Sequence, residues 1–176
     1  MQKLLLIIAF IFFAYSIKAQ SFSGTVGAIP GSGATPTCFT TAVSGIGNIN
    51  SSSIGLASMC LDISHPLTNE LEIFLTAPDG TVVPLSVQNG GSGADYTGTC
   101  FNATASSPVK FASAPFTGTF LPEGYLGSVN NGQNADGVWA LCILDSKNGA
   151  NAGSLVSWSL TFSNTPASLA PVAPAC

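Results

Sequence analysis

At 176 residues the chain is long enough for one domain with short extensions. Only 7% of residues are charged, while 19 are glycine and 11 proline, which points away from helical bundles and toward a turn-rich, all-β fold. Four basic against eight acidic residues give −4, or −6 once Lys3 and Lys18 of the N-terminal leader are set aside, a balance that excludes nucleic acid and anionic membrane surfaces as partners.

Residues 1–19 read as a secretory signal peptide. Lys3 supplies the basic start, and 4–15 is a twelve-residue apolar run, too short for a spanning helix of about 20 residues. Ala19 suits the cleavage position, which makes Gln20 the new N-terminus and places the mature chain outside the cell or at its surface, without membrane insertion. Export permits disulfides among Cys38, Cys60, Cys100 and Cys142, with Cys176 left on the C-terminal tail. Spacing does not choose among the three pairings that four cysteines allow. Four buried free thiols are the alternative, because reduced cysteine packs as a small hydrophobe.

Residues 20–36, rich in Ser, Gly, Thr and Pro, form an extended entry segment, and 37–163 a β-sandwich. A strand is expected at 38–43, then a loop at 45–55 anchored by Ile46, Ile49 and Ile54. In 56–63, Ala57, Met59, Leu61 and Ile63 alternate with polar residues or cysteine, the period of a half-buried strand that Pro66 ends. Strands at 71–77 and 81–87 flank Pro78-Asp79-Gly80, whose residues preset φ, bond back to the backbone and accept positive φ. A glycine-rich loop at 89–95 leads to a short strand at 96–101. Residues 102–129 read as long and irregular, pinned to the sandwich edge by Phe111, Phe116 and Phe120. The last strands are 137–144 and 154–162, the latter with Val156, Trp158, Leu160 and Phe162 on one face. Residues 164–176 alternate Pro and Ala and read as a linker. About eight short strands in all make a sandwich.

The chemistry on offer is sparse. Hydrolytic triads need a base, and His65 is the one histidine, held at a strand end beside Pro66. There is no Gly-x-Ser-x-Gly elbow and no His-Glu-x-x-His cluster, so no catalytic residue is assigned. One histidine and oxidised cysteines disfavour zinc. Glu70, Asn89, Asp95 and Asn102 lie in loops at strand ends and form a candidate calcium set at one pole, with ordinary solvated turn residues as the alternative. Asp145, Asn148 and Asn151 make a second oxygen-rich loop. Trp139 and Trp158 sit inside alternating strands and are expected in the core, which leaves Tyr96 and Tyr125, in loops, as candidate ligand contacts.

The order of short motifs resembles a known family. They are Asp62-Ile63-Ser64-His65, Glu70-Leu71, Ala77-Pro78-Asp79-Gly80-Thr81, Asn89-Gly90-Gly91-Ser92-Gly93, Pro115-Phe116-Thr117-Gly118, Pro122-Glu123-Gly124, Gly137-Val138-Trp139-Ala140-Leu141 and Gly153-Ser154-Leu155-Val156-Ser157-Trp158-Ser159-Leu160. Together they resemble the P domain (Homo B domain) of proprotein convertases and related secreted subtilisin-like proteases. The resemblance implies a jelly-roll sandwich of the galactose-binding kind. It also implies a noncatalytic accessory module that stabilises, orients or targets a serine endopeptidase or another secreted partner. It favours Cys60–Cys100 with Cys38–Cys142, because the family can carry cysteine at the first pair. The family typically has aspartate at the places of Glu70 and Asn102 and an acid at that of Asp95, so two of three acids are altered here. The alternative of a different class is a bacterial cell-surface adhesion or glycan-binding module using the loops at one end of the sandwich.

Overall fold

A computed structural model describes residues 19–31, 33, 35–147 and 151–168. The signal-peptide expectation falls almost wholly outside them, as do Asn148 and Cys176. Twelve strands occur in order: β1 (Gln20–Ser23), β2 (Gly27–Ile29), β3 (Thr37–Val43), β4 (Asn48–Asn50), β5 (Gly55–Ser64), β6 (Leu71–Thr76), β7 (Val82–Val87), β8 (Tyr96–Asn102), β9 (Phe116–Phe120), β10 (Asn131–Asn134), β11 (Gly137–Asp145) and β12 (Gly153–Ser163). Short 3-10 turns at Thr68–Glu70, Val109–Phe111 and Leu126–Val129 are the helical content of the described residues.

The strands form two main sheets. One has the order β1-β12-β5-β8-β9, with β2 also on β12; the other runs β3-β11-β6-β7, and β4 with β10 makes a small ribbon. Alternation explains which face each strand buries. Leu71, Ile73 and Leu75 of β6 and Trp139, Leu141 and Ile143 of β11 point inward from the second sheet. Met59, Leu61 and Ile63 of β5 and Leu160 and Phe162 of β12 come from the first. The rings of Trp139 and Phe162, one from each sheet, meet edge-on with centroids 5.5 Å apart. The chain is thus an all-β sandwich and not a closed barrel.

Each sheet carries one disulfide. Cys38–Cys142 joins opposed residues of β3 and β11, and Cys60–Cys100 those of β5 and β8. The Cα atoms are 4.0 Å apart in both, the close approach of directly opposed cross-strand residues. This is the pairing that the family resemblance favoured.

Two bulges correct the sequence reading. Leu155 pairs with Ile63 and Ser157 with Asp62, so Val156 is the extra residue of β12. Parity flips there: Leu155 and Trp158 point inward, and Val156 is 58% exposed instead of joining the Trp158 face. In β8, Leu61 opposes Thr99 while Ile63 opposes Tyr96, so an extra residue lies beside Gly98, whose φ is +56°. That shift carries Tyr96 into the core, where it is 1% exposed, and not into a loop as expected. Asp62 of β5 fastens both irregularities. One carboxylate oxygen accepts the Gly98 N–H, and the other accepts the Ser157 hydroxyl at 2.6 Å.

The stretches without clear alternation hold more structure than their composition announces. The entry segment contributes β1 and β2, because β12 offers an edge for Gln20 to pair with Phe162 and Gly27 with Leu155. The loop at 45–55 contains β4, and buried Ile46 and Ile49 anchor it. Within 102–129, β9 pairs in parallel with β8, the one parallel ladder between these strands. Phe116 and Phe120 of β9 are buried, but Phe111 is 77% exposed and pins nothing.

Candidate functional site

One pole of the sandwich gathers its buried histidine and buried carboxyl groups. His65 follows β5 as Pro66 ends that strand, Glu70 closes the 3-10 turn entering β6, and Asp145 ends β11. All three are buried, and one ligand-type atom of each lies within 4.8 Å of the others. The pole therefore presents a group able to hold a metal ion, drawn from both sheets. His65 Nε2 lies 3.3 Å from Asp145 Oδ2, the one contact within 4.0 Å between a basic and an acidic side chain among the described residues. His65 Nδ1 lies 2.9 Å from the Leu67 carbonyl and 3.2 Å from the Leu67 N–H. Glu70 Oε2 accepts from Asn151 Nδ2 at 3.1 Å, and the Glu70 carbonyl accepts from the Ser146 N–H and hydroxyl. Asn69, beside Glu70 in the turn, has a shielded side-chain oxygen with no donor among the described residues. Both ring nitrogens of His65 are engaged by Leu67 and Asp145, so no hydroxyl nucleophile stands on this imidazole.

The four residues proposed for calcium do not converge. Glu70 belongs to the pole, and Asp95 supports it indirectly: its Oδ1 accepts the His65 N–H at 2.8 Å, and its own N–H donates to the His65 carbonyl. The Asn89 amide instead donates to Ser86 Oγ and to Glu123 Oε1. Asn102 is at the far end of β8 from Asp95, about 20 Å away at strand rise, where its Oδ1 accepts the Thr104 N–H and hydroxyl. Sequence reasoning placed Asp145 in an oxygen-rich loop with Asn148 and Asn151. It missed the pairing with His65 because 80 residues separate them and only the strand order brings them together. A buried histidine was visible as the end of a patterned strand, but nothing local named its partners.

The aromatic candidates separate clearly. Tyr96 stacks on Phe116 with centroids 4.6 Å apart, and its hydroxyl shares a 2.9 Å hydrogen bond with Ser86 Oγ. Burial, with the nearby Glu123 charge adding to it, pushes the phenol up to about 12. Tyr125 is 59% exposed and, with Phe111, Pro108 and Pro122, borders a groove of about 310 Å³. Trp139 and Trp158 are both buried, their indole N–H groups donating to the Ala135 and Thr25 carbonyls at 2.9 Å.

The sandwich with these motifs at its strand ends defines a P-domain module. Residues 56–162, well over half of the chain, match the family model described as the proprotein convertase P-domain, and the chain belongs to that family. No curated protein sequence matches the chain. Among solved structures, the Aeromonas sobria serine protease in complex with its chaperone is similar at a TM-score of 0.51 and 19% identity, over 85% of this chain and 28% of that one. A second structure, of the serine protease of Aeromonas sobria, gives a TM-score of 0.49 and 20% identity, over 84% of this chain and 26% of that one. The likeness is one of fold, and this chain spans little more than a quarter of the length of the first of these neighbours.

Proposed function

We propose that the mature chain is a secreted, noncatalytic module that stabilises, orients or targets a subtilisin-like serine endopeptidase. The observation that carries this reading is the P-domain match over residues 56–162. Two further features support it. The one histidine is buried, with both ring nitrogens engaged by Leu67 and Asp145. Two cross-strand disulfides suit an oxidising compartment, and β1 begins at Gln20, directly after the predicted cleavage point, so signal removal leaves the sandwich whole. The test uses culture supernatants of a strain lacking the coding segment for residues 37–163. Labelling with a fluorophosphonate probe should show one serine endopeptidase reduced in amount or activity, and restored when the segment is supplied. An unchanged labelling pattern and unchanged endopeptidase activity refute the accessory role. Intact mass of the exported protein should correspond to a chain starting at Gln20 or its cyclised form.

A further inference from the structure

His65, Glu70 and Asp145 are more than a satisfied buried cluster. One buried imidazole stands against two buried carboxyl groups, with their ligand-type atoms within 4.8 Å of one another. Among the described residues no Lys or Arg comes within 4.0 Å of either acid. Nδ1 faces the Leu67 carbonyl at 2.9 Å and the Leu67 N–H at 3.2 Å, so the backbone fixes the ring with Nε2 directed at Asp145. A ring held at one nitrogen by backbone groups, with the other turned toward a carboxylate, has the orientation of a metal-ligating histidine. The Nε2–Oδ2 separation of 3.3 Å is longer than the roughly 2.7–2.9 Å of a charge-assisted N–H···O bond. It equals the edge of a tetrahedron with metal–ligand bonds of about 2.0–2.1 Å. The shielded, donor-less oxygen of Asn69 adds to the local excess of acceptors.

We propose that this pole binds one divalent first-row transition-metal ion, with zinc as its representative, through His65 Nε2, Glu70 and Asp145. Calcium fits the donor set poorly, since it takes six to eight oxygens at about 2.3–2.6 Å and has no preference for imidazole. Along the sequence no set of zinc ligands is clustered. The fold supplies them from three separate strand ends. His65 follows β5 of one sheet, while Glu70 directly precedes β6 and Asp145 ends β11 in the other. The bound ion therefore staples the two sheets and stabilises the folded state by mass action. A small pocket bordered by Asp145, Thr35 and Thr37 lies beside the cluster.

The chain's single histidine makes the test direct. Tag-free, oxidised mature protein is dialysed against chelator and titrated with zinc chloride or calcium chloride. Long-range ¹⁵N–¹H correlation of the imidazole and thermal melting are followed together. Zinc should move the Nε2 resonance to a metal-bound position, saturate at one equivalent and raise the melting temperature, while calcium at the same concentration changes neither. Glu70→Gln should weaken zinc at least about 10-fold, the loss that outer-shell partners already cause. An imidazole that ignores zinc, an equal response to calcium, or unchanged affinity in Glu70→Gln overturns the proposal. If Glu70→Gln does not fold, the wild-type resonance decides alone.

Discussion

Replacing Trp158 with alanine removes the side chain that locks the N-terminal ribbon onto the sandwich. The indole is 2% exposed, opposes Leu61 across β5, and donates its N–H to the Thr25 carbonyl at 2.9 Å. Gly24 lies flat on the ring, so closely that any Cβ there would collide with it. Truncation therefore opens a cavity between β12 and residues 24–25 and strands one carbonyl. Large-to-alanine changes of a buried tryptophan cost about 3–5 kcal/mol, and we expect about 4. At roughly 3–4 °C per kcal/mol for a domain of this size, the melting temperature should fall by roughly 10–15 °C. Oxidised protein is melted by circular dichroism, with Trp158→Phe as control. The control should keep most of the packing and lose chiefly the hydrogen bond. A Trp158→Ala variant that melts within about 2 °C of the parent shows that the indole is not part of the core, and the packing argument fails.

Asp62→Ala frees the Gly98 N–H and the Ser157 hydroxyl at once; both are exposed and water replaces part of the loss, so it should cost about 1–2 kcal/mol by urea denaturation, against less than about 1 for Asp62→Asn. Replacing Cys38 and Cys142 together by serine removes a cross-link between residues 104 apart on an outward face; chain entropy predicts a loss of about 4–5 kcal/mol, read from the shift in denaturation midpoint. Tyr96 should resist ionisation up to about 12, followed by ultraviolet absorbance. Its folded value is raised above the unfolded value of about 10, so the stability it contributes is complete below pH 10 and is lost as pH rises toward 12. Two units correspond to about 2–3 kcal/mol, and Tyr96→Phe should flatten that alkaline decline.

Strands were legible wherever one face is buried and the other wet, because period-two alternation then shows in the residues themselves. The second sheet and the central β5 are of this kind, and their expected bounds differ from the observed ones by one residue or so. Short strands such as β1, β2 and β4 were not legible, since their pairing comes from an edge offered by distant residues and not from their own pattern. Val156 and Tyr96 were misplaced for a single reason: a bulge flips the parity of everything beyond it, and neither Val156 nor Gly98 announces one locally. The disulfides needed the family resemblance, because spacing is silent about register. At the site, Glu70 was visible as a loop acid and His65 as a strand end, while their meeting with Asp145 depended on the order β3-β11-β6-β7.

The claim that this module acts without catalysing is tested most directly by the peptidase rate of the homogeneous mature chain. A panel of peptide and protein substrates, over several pH values and with calcium, zinc or chelator present, should give rates equal to buffer. His65→Ala should change the melting curve and leave that null rate where it was. Robust cleavage that His65→Ala abolishes, with the melting curve unmoved, would contradict the account.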